Sequence, residues 1–397
     1  MTSRIPVFIL AASALCLTMS CAPAPEQAGQ QLKAADYLIY LGTSTRGEAG
    51  SKGIYVSRYA SSTGEFTAPE LAAEAVNPSW VTIHPNGQFL YAVGETYGEA
   101  AGDAGSVSAF RINRPDGALT LLNTVSSMGK GPCHLAIDRT AKMLAVANYG
   151  GGSVASYPLN ADGTLGEAAT FHQHESTGPD PRRPDRPRQP RGHSVDFSAD
   201  NRFLVSCDLG LDEIFVYPVD PASATFDIAA ARRTRVADGA GPRHFSFHPS
   251  AKFGYVINEL GSTITAFTYD AQAGALSEIQ TLSTLPEDFT DRNSTAEIVV
   301  HPSGKYLYGS NRGHNSIAVF SIDEATGQLT LIEREPTMGE IPRNFAIDPT
   351  AAYILAGNQN TGNVVQFGIA GDGSLTPTGR TMPAPAPICI QFGKAEL

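Results

Sequence analysis

Charge, tryptophan and cysteine are all scarce in this chain, and each shortage excludes something. Charged residues make up 17% of the 397, and 28 Lys and Arg stand against 39 Asp and Glu, for a formal net charge of −11. A nucleic-acid partner needs clustered positive charge, so that class is excluded, and small or weakly charged ligands remain. Five cysteines occur without CxxC spacing. Cys16 and Cys21 fall in the N-terminal segment. The odd set Cys133, Cys207 and Cys389 reads as buried thiols packing as small hydrophobes, with no zinc site and no metal implied. The sequence also lacks a Gly-x-Ser-x-Gly elbow, a His-Glu-x-x-His motif and a phosphate-binding glycine loop. That removes the serine-esterase and zinc-hydrolase routes.

What is plentiful is the punctuation of short strands. Gly (39) and Pro (27) are frequent and apolar residues reach 42%, a composition suited to many short strands joined by tight turns. The first twenty residues read differently, as an export signal. Arg4 gives an early positive charge, Ile5 to Met19 is apolar but short for a bilayer span, and Ser20-Cys21-Ala22 offers small residues for cleavage. A thiol at this point, followed by a Pro- and Ala-rich linker over 21–36, resembles a bacterial lipoprotein signal with Cys21 lipidated. That pattern prefers Leu three residues earlier, where Thr18 stands, so ordinary secretion stays open. The expected location is periplasmic or at the outer surface, with membrane attachment only through an N-terminal lipid. The folded domain is expected over 37–397.

That domain is built of repeats. An apolar-His/Asp-Pro turn recurs at Ile83-His84-Pro85, Phe247-His248-Pro249, Val300-His301-Pro302 and Ile347-Asp348-Pro349, with variants after Ile137 and Phe197. A Gly-x-Leu/Phe turn follows in each repeat, as at Gly117, Gly163, Gly327 and Gly373, with a degenerate copy at Ala224-Thr225-Phe226. The period of about fifty residues is that of one four-stranded blade, and seven copies predict an all-β, seven-bladed propeller. Blade classes that carry a tryptophan in each repeat are excluded, since Trp80 stands alone. The first repeat starts at Tyr37-Leu38-Ile39-Tyr40-Leu41, which matches a second strand. The chain ends on Ile388-Cys389-Ile390-Gln391-Phe392, which matches an innermost one. The C-terminus is therefore expected to donate the missing strand to the first blade and remove the open edge.

Superposing the repeats shows which residues share a rim. Innermost strands begin at Ser79, Cys133, His193, Arg243, Ala296, Arg343 and Ile388, each followed by one of Trp80, His134, Ser194, His244, Glu297, Asn344 and Cys389. Second strands end at Thr43, Glu95, Tyr149, Leu209, Glu259, Arg312 and Gln359. Antiparallel neighbours put the start of one strand beside the end of the next, so all of these face one opening of the channel. His193, Arg243, Glu259 and Arg312, from three successive blades, form its ionisable cluster. Glu95 and His134 are weaker candidates for binding substrate hydroxyls, and Asp208, at a turn-forming position, is expected to reach the mouth as well.

The runs Gly-Pro-Arg-His-Phe-Ser-Phe-His-Pro (241 to 249), Val256-Ile257-Asn258-Glu259-Leu260 and Ser310-Asn311-Arg312-Gly313-His314-Asn315-Ser316-Ile317 resemble the lactonase family of seven-bladed propellers. That family includes propeller-type 6-phosphogluconolactonases and carboxy-cis,cis-muconate cyclases. The likeness extends from about Tyr37 to Phe392. It implies a catalytic set of His193, Arg243, Glu259 and Arg312, with no cofactor.

Opening a lactone takes an activated water and support for the oxyanion that forms. Permanently charged arginines suit anion holding, and His193 with Glu259 is the expected acid/base pair. The division of labour depends on contact: a Glu259 gripped by both arginines is a fixed carboxylate, and His193 is then the base. The expected activity is metal-independent hydrolysis of a sugar lactone. Export would favour an unphosphorylated aldonolactone. The same residues would serve a cyclase closing a carboxymuconate, and a non-catalytic binding propeller is the third reading. Many members of the family carry a second histidine where Arg191 stands. The Pro- and Arg-rich segment 177–191 leading to His193 either recruits an anionic substrate or forms a stiff, solvated loop.

Overall fold

Short apolar strands separated by Gly, Asn and Asp turns cannot bury a face alone, and here they do so by stacking around a ring. The computed structural model describes residues 1–2, 36–47, 50–97, 104–114, 116–176 and 178–396. Its described residues form seven antiparallel blade sheets and one small hairpin. The innermost strands of blades two to seven are Val81–Ile83, Pro132–Ile137, Gly192–Phe197, Pro242–Phe247, Ser294–Val300 and Pro342–Ile347. In the first and fourth blades the outermost strand is split, into Glu65–Phe66 with Glu70–Glu74 and Thr225–Phe226 with Arg232–Arg235. Cys21 and the export segment lie outside the described residues.

The ring closes as the end sequences require. Pro387–Lys394 is the innermost strand of the first blade and pairs antiparallel with Tyr37–Thr43, Ile39 opposite Phe392 and Leu41 opposite Ile390. Cys389 and Ile390 are buried in this seam. The Ile390 N–H also donates to Asn344 Oδ1 at 2.9 Å, tying the closing strand to the seventh blade.

Apolar side chains of one blade pack against those of the next, as where Tyr255, Ile257 and Ile264 meet Ile298, Leu307 and Phe320. Each fully buried aliphatic side chain contributes about 1.5–3 kcal/mol. The repeat motifs add directed contacts between blades. The second-strand tyrosines Tyr40, Tyr91, Tyr255 and Tyr308 donate to the carbonyls of Gly117, Gly163, Gly327 and Gly373 in the next blade's Gly-x-Leu turn, at 2.9–3.1 Å. Those glycines have φ between 73° and 89°, which glycine adopts without strain. In the degenerate copy Ala224 takes φ 56°, and its carbonyl accepts from Ser156 Oγ at 2.8 Å instead. The His-Pro turns are also blade staples: Nε2 of His248 and of His301 meets the Gly304 and Ala351 carbonyls at 2.8 and 3.1 Å.

Candidate active site

The side chains at the channel mouth are placed there by a repeated irregularity. In five blades the pairing of innermost and second strand slips by one residue at the same point, and the skipped residue is Cys133, His193, Arg243, Arg343 or Ile388. A bulge leaves its extra residue out of the ladder and re-aims its side chain. The sixth blade slips past both Ala296 and Glu297. The strand exits face these bulges. Glu259 N–H donates to the Gly241 carbonyl at 2.7 Å, and the same bond recurs from Tyr149 to Gly131 and from Gln359 to Ile341. Arg312 closes its own strand opposite Ser294.

His193, Arg243, Glu259 and Arg312 converge. One carboxylate oxygen, Glu259 Oε2, accepts from Arg243 Nε and from Arg312 Nη2, both at 2.9 Å, and lies 3.9 Å from His193 Nε2. Burial alone would raise the Glu259 carboxyl, but Arg312 and Arg243 outweigh it and hold the group below its ordinary value. It is an ionised, gripped carboxylate. His193 is buried, and desolvation, then the Arg243 charge, keep its imidazole neutral far below the usual histidine range. Tyr149 meets it edge to face at 5.4 Å between centroids. Not every guanidinium donor is consumed. Arg243 spends Nε on Glu259 and Nη1 on the Ala296 carbonyl (2.8 Å) and His244 Nε2 (3.0 Å). Arg312 Nη2 also donates to the Thr295 carbonyl at 2.7 Å, while its Nε is buried without a partner.

One level deeper, His244, Glu297 and Asn344 satisfy one another, while among the described residues Ser194 Oγ and Asp196 Oδ2 stay buried without partners. Arg243 can only donate to His244 Nε2, so the neutral ring carries its proton on Nδ1 and donates it to Glu297 Oε1 at 3.0 Å. Glu297 also accepts from the Ile298 N–H at 3.0 Å and from Asn344 Nδ2, whose carbonyl oxygen holds Ile390 of the closing strand. Burial pushes the Glu297 carboxyl up to about 7.

Of the weaker candidates, Glu95 lines the same pocket as His193 and Arg243. It accepts from Tyr97 Oη at 2.9 Å and lies 3.9 Å from Arg46. His134 sits in the deeper level instead, 4.0 Å from the Trp80 ring and 5.1 Å from His244, on a cavity shared with Asp196. The structure does not bring Asp208 to the mouth. It is fully buried, with Oδ2 on His174 Nδ1 (2.7 Å) and Oδ1 accepting from the N–H groups of Arg191, Gly210 and Leu211. A carboxylate at this turn position caps backbone donors and has nothing left for a ligand. The segment before His193 folds as a hairpin of Pro179–Asp180 with Arg183–Pro187. Arg188 is buried against Asp212 and Asp238 of the propeller, Arg182 pairs with Asp180 at 3.2 Å, and Arg191 donates to the Gly150 carbonyl at 3.0 Å with its guanidinium over the Tyr149 ring. The hairpin is thus fastened to the propeller through Arg188, while Arg183 and Arg186 stay exposed. Among the described residues no three His, Cys, Asp or Glu side chains gather as metal ligands.

Beside the four ionisable residues of the cluster, Arg343, Glu297, Tyr149 and Cys133 also bear on the site, as the rim positions alone do not show. Arg343 and Cys133 stand at the same repeat position as His193 and Arg243, so the signal was present. What the repeats could not give was the bulge that turns that position into the channel.

Residues 38–392 match the family model described as lactonase, 7-bladed β-propeller. The chain is 36% identical over 357 residues to a 6-phosphogluconolactonase of Bacillus subtilis, covering 90% of this chain and 98% of that protein. It is 34% identical over 333 residues to one of Formosa agariphila, covering 83% and 91%. Among solved structures, the periplasmic gluconolactonase of Pseudomonas aeruginosa superposes with a TM-score of 0.82 at 28% identity, over 90% of this chain and 99% of that one.

Proposed function

We propose that this chain, which belongs to the lactonase family of seven-bladed β-propellers, hydrolyses a six-carbon sugar lactone without a metal ion, using His193 as its base. The observation that carries this reading is a neutral imidazole 3.9 Å from a carboxylate already claimed by two arginines. The Glu259 carboxylate is committed to two arginines, whereas His193 is neutral and has that carboxylate 3.9 Å from its Nε2 to offset the charge it gains on taking a proton. Glu259 then fixes the arginines and accepts a hydrogen bond from the attacking water.

The step balances within the site. The water oxygen adds to the lactone carbonyl carbon while His193 Nε2 takes its proton. The oxyanion is met by donors of Arg243 and Arg312 not spent on protein. The bond from carbonyl carbon to ring oxygen then breaks, and the proton on His193 passes to the ring oxygen, giving the open hydroxy acid. The names of the Bacillus and Pseudomonas relatives support a lactone of the gluconate series. The test is turnover of gluconolactone and 6-phosphogluconolactone by protein kept in EDTA, beside cyclisation of a carboxymuconate. Lactone opening is expected in EDTA. Cyclisation alone, or activity that EDTA abolishes, would overturn the proposal.

Export by residues 1–20, with Cys21 lipidated, is part of this proposal, and the periplasmic setting named for the Pseudomonas relative supports it. Labelled palmitate should enter the wild-type chain and not C21S. A wild type that stays unlabelled in the periplasmic fraction is secreted without an anchor.

A further inference from the structure

The mouth carries more positive charge than its own carboxylates balance. Arg243 and Arg312 share Glu259, and Arg46 lies 3.9 Å from Glu95. Arg343, on the bulge of the seventh blade, lines the pocket with His193, Arg243 and Glu95. Among the described residues it makes no ion pair or hydrogen bond, and its Nε is buried without a partner. Four guanidiniums thus face two carboxylates in a protein of net charge −11. His193 and His244 are neutral, and Glu297, one level deeper, adds at most one further negative charge. An unpartnered guanidinium in a half-buried pocket is costly unless a ligand completes it. The placement is specific as well. His193, Arg243, Glu259 and Arg312 belong to blades four, five and six, whereas Arg343 comes from blade seven, three blades round the channel from His193.

We propose that Arg343 binds a second anionic group of the ligand, a phosphate or carboxylate at the end of the sugar remote from the reacting carbonyl. Its planar fork suits either group. The identity of the ligand rests on the lactonase reading; the anion site rests on Arg343 itself. The carboxylate formed on lactone opening belongs to the His193 cluster, so what Arg343 recognises is the charge at the other end. This makes the preferred substrate a charged sugar lactone.

Calorimetric titration of the whole protein with three open-chain acids tests this without turnover. Gluconate, 6-phosphogluconate and glucarate share the C1 carboxylate and differ at C6, as hydroxyl, phosphate ester and carboxylate. At least one charged acid is expected to bind the wild type about ten- to a hundredfold more tightly than gluconate, the range of one charge-assisted contact. Whichever acid gains identifies the group as phosphate or carboxylate. R343Q should reduce the gain to within about twofold, and R343K, which keeps a point charge without the fork, should retain part of it. Unchanged circular dichroism in both variants makes the comparison valid, and R343K carries it if R343Q fails to fold. Equal affinity of the wild type for all three acids, or a full gain surviving in R343Q, overturns the proposal. Failure of lactone turnover would instead strike the hydrolase reading and leave this result standing.

Discussion

On the innermost strands the mouth residues Arg243 and Arg343 stand one residue before His244 and Asn344 of the level below, yet the side chains gathered around the two pairs end in opposite states. At the mouth, Arg312 and Arg343 keep buried donors without partners, and Glu259 gathers two guanidiniums on a single oxygen. Below it, His244, Glu297 and Asn344 form a closed chain that runs from Arg243 to the backbone of the closing strand. Polar groups that satisfy one another hold a fold, and polar groups left short of partners await a ligand. The lower level is therefore the support and the upper level the working surface. Arg243 bridges them, with Nε in one and Nη1 in the other.

The largest effect should come from removing the end of the support. Deleting the last twelve residues takes away the innermost strand of the first blade and the anchor of Asn344, and is expected to abolish soluble folding. A stable, active truncation would break the distinction at once. Next, E297A removes the acceptor of three donors, and should lower stability in urea unfolding by about 2–4 kcal/mol. R312A, at the working level, should cost less, about 1 kcal/mol, since it removes a guanidinium whose Nε is unsatisfied and leaves Glu259 paired with Arg243. Equal losses in the two variants would erase the contrast. The smallest effect concerns pH. Desolvation first, then Arg243, depresses the His193 pKa well below its ordinary value, so the base is already unprotonated at neutral pH. kcat/KM should stay flat as pH falls from 8 to 6 and decline only below that. A tenfold fall per pH unit starting near 6.5 would show an ordinary histidine or a different base. In folding, the depressed His193 pKa acts the same way: below about 6.5 the unfolded chain gains a proton that the native site refuses, and stability drops.

Much of this is legible in the amino-acid sequence. Seven copies of a turn at Gly117 and its equivalents, and end sequences resembling two halves of one blade, were enough for the ring and its closure. His193, Arg243, Glu259 and Arg312 were legible as a group because equivalent positions in successive blades meet at one rim. Asp208 misled because its position is a turn former, and the sequence could not tell that His174, far off in the repeat, would claim its other oxygen. Arg343 was in view at the right repeat position, but its lack of a partner is a property of three-dimensional surroundings. The split between the levels was equally hidden. It depends on a slip of one residue in the hydrogen-bond register, which no side-chain pattern records.

The most direct test of the working surface is the rate of lactone opening in E259Q and R312A, each with a circular dichroism spectrum and melting temperature matching the wild type. With the arginines ungripped or the oxyanion donor gone, kcat/KM for gluconolactone should fall by about a hundredfold or more. Full turnover in both folded variants would contradict it, and the chemistry would have to lie elsewhere in the molecule.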